Sequence, residues 1–329
     1  MPTKTKKSAL DILRPLLENP HIAEIMIDGP DHVTIEKGGR IEDTDVHFRS
    51  NDEVKEVIRE VLGMAGVQIE EDITLYDVRL SDHSRMMAIL SPTSINGHSV
   101  VFRKWMMNQI SWEKLFEYKS VSPEVRELIQ SAIRAHISIL VAGGTASGKT
   151  TVANRIVELI PPEERVVAVE QTHEFQFAHP RSIFLEADGN VSVALNDLLT
   201  AGSKMRPDWL VIGELHGAET LHAMQIMGNG HSAISTMHAT SAENALARLE
   251  TLCLMANLGL GLDDIRRIIA SALGLIIYLE RMPNGRRKIV QMAELKGSEG
   301  GRYILQPLMR YNPETETFDM AGAKPGWEK

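Results

Sequence analysis

The sequence predicts an α/β protein in two parts. A smaller N-terminal α/β domain with an antiparallel sheet precedes a larger domain built on a mostly parallel sheet. Three observations predict it. Short β-rich runs joined by tight Gly, Pro and Asp turns fill the first hundred residues. From residue 122 onward, apolar strands and helical segments alternate, the pattern of a parallel sheet covered on both faces. Inside that alternation, strand, glycine loop and helix follow one another from Ser138 to Thr151. The expected boundaries are 1–104 for the first domain, 105–121 for a linker and 122–329 for the second.

Taken in order, Ser8 to Leu17 has helical apolar spacing. Ile22 to Asp28 and His32 to Lys37 read as strands, turned at Gly29-Pro30-Asp31 and again at Gly38-Gly39. Asn51-Asp52 is placed to cap a helix carrying Val54, Val57, Ile58 and Val61. Tyr76–Leu80, Ser84–Leu90 and Ser99–Arg103 are three more strands, the first two joined at Asp82-His83. Arg79, Arg85 and Arg103 lie on them or at their ends. Solvated strand faces account for such arginines, and so does phosphate binding, for which the planar guanidinium fork is suited. Trp105 to Tyr118 shows no clear periodicity.

Pro123 with Glu124 beside it marks the start of a helix leading into the strand that ends at Gly143. Gly143, Gly148, Lys149 and Thr150 fit the phosphate-loop spacing G-x-x-x-x-G-K-[ST]. Small residues let such a loop wrap closely with its N–H groups turned to an anion, and the following helix adds its unpaired N–H groups. Gly143, Gly144, Thr145, Ala146, Ser147, Gly148, Lys149, Thr150 and Thr151 are therefore the candidate nucleotide contacts, Thr150 also the candidate Mg²⁺ ligand. The helix is expected to run to Ile160, before Pro161-Pro162. Strands at Arg165–Glu170, Ser182–Glu186 and Trp209–Ile212 follow, with a helix over Val193–Met205. Glu170, Glu174 and Glu214 fall at or just past strand carboxyl ends, where ligands of parallel sheets collect. Glu214 after an apolar strand is the arrangement of a Walker B carboxylate, and Glu170 and Glu174 are candidates for the metal or its waters. His231 and His238 bracket an alternating strand; neutral imidazoles there can hydrogen-bond a phosphate or the water network. Ser241–Ala256 and Leu262–Leu275 read as helices, Leu275–Leu279 as a strand, and Asn284-Gly285 as a hairpin into Lys288–Leu295. From Asn312 the low hydrophobicity predicts a loose tail.

Composition limits the classes of function. A chain of 329 residues, 43% hydrophobic and 24% charged, with a net charge of −9, does not suit broad nucleic-acid binding. The single cysteine, Cys253, excludes an intrachain disulfide and a multi-cysteine zinc site, and suits a reducing cytoplasm. No apolar run approaches bilayer-spanning length. The basic start Lys4-Thr5-Lys6-Lys7 lacks the apolar stretch of a signal peptide and reads as a solvated tail.

The phosphate loop, the acidic box Glu170–Glu174, Gly213-Glu214 and the histidine box come in the order of the secretion or traffic ATPases, which this chain resembles. Those are the motors of type II and type IV secretion, type IV and tight-adherence pili, and archaella. Arg206-Pro207-Asp208, Ala245 to Thr251, Glu24 to Pro30 and Asp77 to Arg85 also match, so the resemblance spans roughly 8–295 and lies nearest the tight-adherence and conjugation-type branches. It implies a RecA-like second domain and an ATP-hydrolysing, Mg²⁺-dependent hexamer. The hexamer would work with a polytopic membrane platform protein from the cytoplasmic side of the inner membrane. It implies Glu214 as catalytic base, Glu174 as its aid at the metal, His238 as sensor of the terminal phosphate and His231 as support. Arg79, Arg85 and Arg103 become candidates to close over the nucleotide from the same or a neighbouring subunit. Gln171 and His216 depart from the family's usual Asp and Arg. They motivate the alternative of a nucleotide-gated hub with weak hydrolysis. A DNA-translocating ATPase is the other alternative, disfavoured by the acidic charge.

Overall fold

The computed structural model describes residues 8–105, 110–187 and 193–328. The basic start at 4–7 and part of the stretch read as a linker, 106–109, lie outside the described residues. The chain divides into two compact units, Met1–Asn108 and Gln109–Lys329.

In the first unit a 3₁₀ turn, Ala9–Ile12, precedes the short helix α1 (Arg14–Leu17). The single helix expected over this stretch is divided because Pro15 has no N–H to continue it. Six strands follow: β1 (Ile22–Asp28), β2 (Val33–Lys37), β3 (Arg40–Asp43), β4 (Leu75–Arg79), β5 (Arg85–Ile89) and β6 (Ser99–Arg103). They form one antiparallel sheet in the order β3-β2-β1-β6-β5-β4. β3 carries no sequence signal, since Ile41 is flanked by charge and all four residues are exposed. Helix α2 (Asn51–Met64) is capped by Ser50, whose hydroxyl accepts the Glu53 N–H. Asn51, one of the expected caps, instead accepts the His98 N–H at 2.6 Å, tying the helix start to the turn before β6. Val54, Val57, Ile58, Val61 and Leu62 of α2 are buried with Ile25, Ile27, Met86, Ala88, Val100 and Phe102 from alternate strand positions.

The second unit opens with α3 (Trp112–Glu117), a helix inside the stretch read as linker, whose Trp112 and Leu115 are buried. Then come α4 (Pro123–Arg134), β7 (Ile139–Gly143), α5 (Lys149–Val157), β8 (Val166–Glu170), β9 (Ser182–Glu186), α6 (Leu195–Lys204) and β10 (Trp209–Glu214). They are followed by α7 (Glu219–Gly228), β11 (Ser232–His238), α8 (Ala242–Met255), α9 (Leu262–Ala272), β12 (Leu275–Arg281), β13 (Arg287–Glu299), β14 (Arg302–Asn312) and β15 (Thr317–Met320). The nine-stranded sheet runs β15-β14-β13-β12-β7-β11-β10-β8-β9. From β12 to β9 every neighbouring pair is parallel, and β13 to β15 extend the sheet antiparallel. Strand β7, and β8 and β10 up to the glutamates that end them, are apolar because both sheet faces are covered. Val125, Ile129, Val152 and Ile156 of α4 and α5 fill one face with Val141 and Val211. Leu199, Met224, Leu246 and Ile269 of α6 to α9 fill the other with Leu140, Val167 and Ile212.

The tail is not loose. β15 pairs with β14, Gly326 N–H donates to Glu294, and Trp327 Nε1 donates to Ser131 Oγ at 3.0 Å. Two aromatic anchors, Phe318 and Trp327, reach the core, and averaging over a polar segment hides them.

Candidate nucleotide-binding site

The phosphate loop leaves β7 at the middle of the sheet, at the carboxyl ends of the parallel strands. It ends at Gly148, whose φ of +95° an L side chain rarely adopts, and α5 begins at Lys149. The Lys149 side chain is 8% exposed. Its ammonium donates to Gly144 O at 3.1 Å and to His238 Nδ1 at 3.3 Å, and lies 4.0 Å from Glu214 Oε2. With Nδ1 accepting, the imidazole proton sits on Nε2, which is 3.3 Å from Glu214 Oε1. Lys149, His238 and Glu214, chosen from three separate sequence boxes, therefore form one group, joined by the Lys149–His238 hydrogen bond and by the close approach of the Glu214 carboxylate to both. Burial pushes the Lys149 ammonium below the usual lysine range, while Glu214 and Glu174 pull it back up.

A register slip aims Glu214. Ile212 pairs with Ser235, but Glu214 pairs with Thr236, so Gly213 is the extra residue between them. Continued without the slip, the strand would set Glu214 beside Met237, on the face filled by α6 to α9. The slip places it instead with Thr236 and His238 on the face of α5. Gly213 also permits close approach of β8: a Cβ there would lie 3.2 Å from Glu170 Cα and 3.4 Å from its Cβ and Cγ. Backbone cannot retreat as a side-chain tip can. Gly213→Ala is expected to destabilise the fold by about 1–3 kcal/mol, the usual cost of overpacking, measured by urea unfolding.

Glu170 is placed differently from the metal ligand that its position suggested. It is buried, its Oε1 accepts the N–H groups of Glu174 (2.8 Å) and Phe175 (3.0 Å), and its Oε2 lies 2.8 Å from His173 Nδ1. The loop after β8 is hung on such side chains: Glu186 accepts the His173 N–H, and Asn154 of α5 accepts the Gln176 N–H. Glu174 itself is exposed on this loop and close enough to Lys149 to raise its pKa.

His231 does not join the group. It precedes β11, so the seven residues of that strand, roughly 23 Å, separate it from His238. The parallel register sets His238 beside Gly143, leaving His231 at the opposite end of the sheet. Equal spacing from a sequence box says nothing of which strand end a residue occupies. His216 turns to α7: Glu219 Oε1 accepts the N–H groups of His216 and Gly217 and lies 3.1 Å from His216 Nδ1. Gln171 is half-buried just past β8.

In the first unit, Arg79, Arg85 and Arg103 stand in one cross-strand row, paired Arg79 with Arg85 and Arg85 with Arg103. Asp77 holds Arg85 with both carboxylate oxygens (2.6 and 2.5 Å), Glu24 lies 3.3 Å from Arg103 Nε, and Arg79 sits over the Trp105 ring. Sequence reasoning missed Arg287, whose Nε donates to Ala146 O at 2.9 Å in the phosphate loop. No motif marks it, because 141 residues separate the partners.

A family model described as "Type II/IV secretion system protein" matches residues 6–301. The chain belongs to this family. The conjugal transfer protein TrbB of Rhizobium radiobacter is 30% identical over 218 residues, 65% of each chain. Among solved structures, the ATPase DotB of Yersinia pseudotuberculosis matches at TM-score 0.65 and 17% identity, over 90% of this chain and 81% of that one. The pilus retraction motor PilT, solved with bound ADP, matches at 0.61 and 18%, over 90% and 84%. At these identities the structural likeness is one of fold, the RecA-like fold of secretion ATPases. No helix among the described residues is long and apolar enough to cross a membrane.

Proposed function

We propose that this chain hydrolyses ATP with Mg²⁺ and, as a homohexamer, drives a pilus-assembly or secretion machine at the inner face of the cytoplasmic membrane, acting on a polytopic membrane platform protein. The observation that carries the reading is the group formed by Lys149, His238 and Glu214 at the mouth of the glycine loop. The loop fits a polyphosphate. It holds a buried ammonium that donates to a carbonyl and an imidazole, and a buried Ser147 hydroxyl without a hydrogen-bond partner among the described residues. The Thr150 hydroxyl and Glu174 offer the oxygen donors that Mg²⁺ prefers. When bound, the ion supplies charge neutralisation on the β- and γ-phosphate oxygens.

The chain's own residues divide the work. Lys149 exchanges its contacts with Gly144 O and His238 for phosphate oxygens. That releases His238 Nδ1, so the histidine registers the terminal phosphate through the same ring that faces Glu214. Glu214, 38% exposed, is accessible to water; it takes the proton as water attacks the γ-phosphorus and the bond to ADP breaks. Glu170 and His173 hold the loop that carries Glu174. Arg79, Arg85 and Arg103 are proposed to contact phosphates at a later stage of the cycle, once released from Asp77, Glu24 and Trp105. Purified protein is expected to release phosphate from ATP only with Mg²⁺ present, and to gain mass to a hexamer with a non-hydrolysable ATP analogue. Absence of turnover with and without the membrane partner refutes the reading.

A further inference from the structure

Ala146 lies in the phosphate loop at φ +55°, in the left-handed region that L residues other than Asn and Asp seldom occupy. No glycine relieves it, so a neighbour must hold it there. Arg287 is that neighbour. It begins β13, just past the turn from β12, and β12 runs parallel beside β7 with Leu279 opposite Gly143. The hairpin therefore overhangs the loop. Arg287 Nε donates to Ala146 O at 2.9 Å, and its Cδ lies 3.3 Å from where a Cβ on Gly148 would stand. One side chain touches both the strained residue and the last residue before α5.

Its neighbour Arg286 carries the same charge but is exposed, with its guanidinium 3.9 Å from Glu316 at the β14–β15 turn. The contrast separates charge from geometry. A lysine at 287 would keep the charge, yet it has no donor at the Nε position, and its ammonium ends a longer unbranched stem.

We propose that Arg287 is a positioning residue for nucleotide binding: it pins the Ala146 carbonyl to the outside of the phosphate loop, which keeps the loop's N–H groups turned to the phosphates. The inference rests on the ATP-binding reading above. Arg287 acts through the loop and touches no reacting atom, so its loss weakens affinity more than turnover.

The test compares wild type, Arg287→Ala, Arg287→Lys and Arg286→Ala. It measures Kd for a fluorescent ATP analogue, KM and kcat for ATP, and Tm without nucleotide. Arg287→Ala is expected to raise Kd and KM about tenfold, the factor one charged hydrogen bond is worth, with kcat changed less than about twofold. Arg287→Lys is expected to match Ala, and Arg286→Ala to match wild type. Unchanged Kd in Arg287→Ala overturns the proposal, as does full rescue by lysine or an equal rise in Arg286→Ala, either of which makes the effect one of charge. A nucleotide-free Tm that falls in Arg287→Ala and in Arg287→Lys alike, with Kd at the wild-type value in the folded fraction, also overturns it. Wild type that fails to bind the analogue removes the ATP-binding reading itself, a result distinct from binding that is insensitive to residue 287.

Discussion

Glu214→Gln is expected to lower kcat for ATP by about 10²–10⁴, the contribution of a positioned general base, while nucleotide affinity stays within a few-fold of wild type. The amide keeps the size of the carboxylate and an oxygen able to face His238 Nε2, which lies 3.3 Å from Glu214 Oε1. It loses the capacity to take a proton. Single-turnover phosphate release checks the first half, and titration with a fluorescent ATP analogue the second. His238→Ala separates the two roles assigned to this group. It leaves Glu214 as a base but removes the ring that joins it to Lys149, so turnover is expected to fall less than in Glu214→Gln. If Glu214→Gln turns over at the wild-type rate, Glu214 is not the base.

Much of this was legible because local chemistry and topology agree. Pro123 after Ser122 gave the start of α4 to the residue, and the Ser122 hydroxyl does accept the Val125 N–H. The phosphate-loop spacing carried its strand and helix with it, and apolar runs located β8 and β10. What sequence could not supply falls into kinds. Helix α7 begins without a capping side chain, and its buried residues, Thr220, Leu221, Ala223, Met224, Ile226 and Met227, do not leave one clean polar stripe. Strand β3 pairs through its backbone with side chains that all face solvent. The role of Glu170 depends on which carboxylate oxygen meets which N–H, and two acids four residues apart look alike until the chain turns between them. The slip at Gly213 is a matter of register, and one residue decides whether Glu214 meets a core methionine or the glycine loop. His231 fails for the related reason that a strand has two ends.

Lys149→Ala is expected to weaken nucleotide binding roughly 10- to 100-fold, from the loss of a charged hydrogen bond worth about 1.5–3 kcal/mol. The more telling experiment leaves the residue in place and follows its proton. Burial lowers the pKa of Lys149 from the ordinary 10.5, so between the lowered value and 10.5 the unfolded chain binds more protons than the folded one. By linkage, this group makes stability of the nucleotide-free protein rise with pH through that window, and contributes a constant penalty below it. A bound polyphosphate favours the charged ammonium and raises the pKa again. Binding at alkaline pH is therefore expected to take up a proton, visible as a calorimetric heat that depends on the buffer's ionisation enthalpy. Below the lowered value, where Lys149 is charged in both states, that part of the buffer dependence disappears. Lys149→Arg keeps a cation that does not titrate in the range, and is expected to abolish the alkaline uptake even if some affinity survives. Uptake that persists in Lys149→Arg would assign the proton to another group, and would leave the contacts of Lys149 with Gly144 and His238 as packing rather than as a resting state that phosphate displaces.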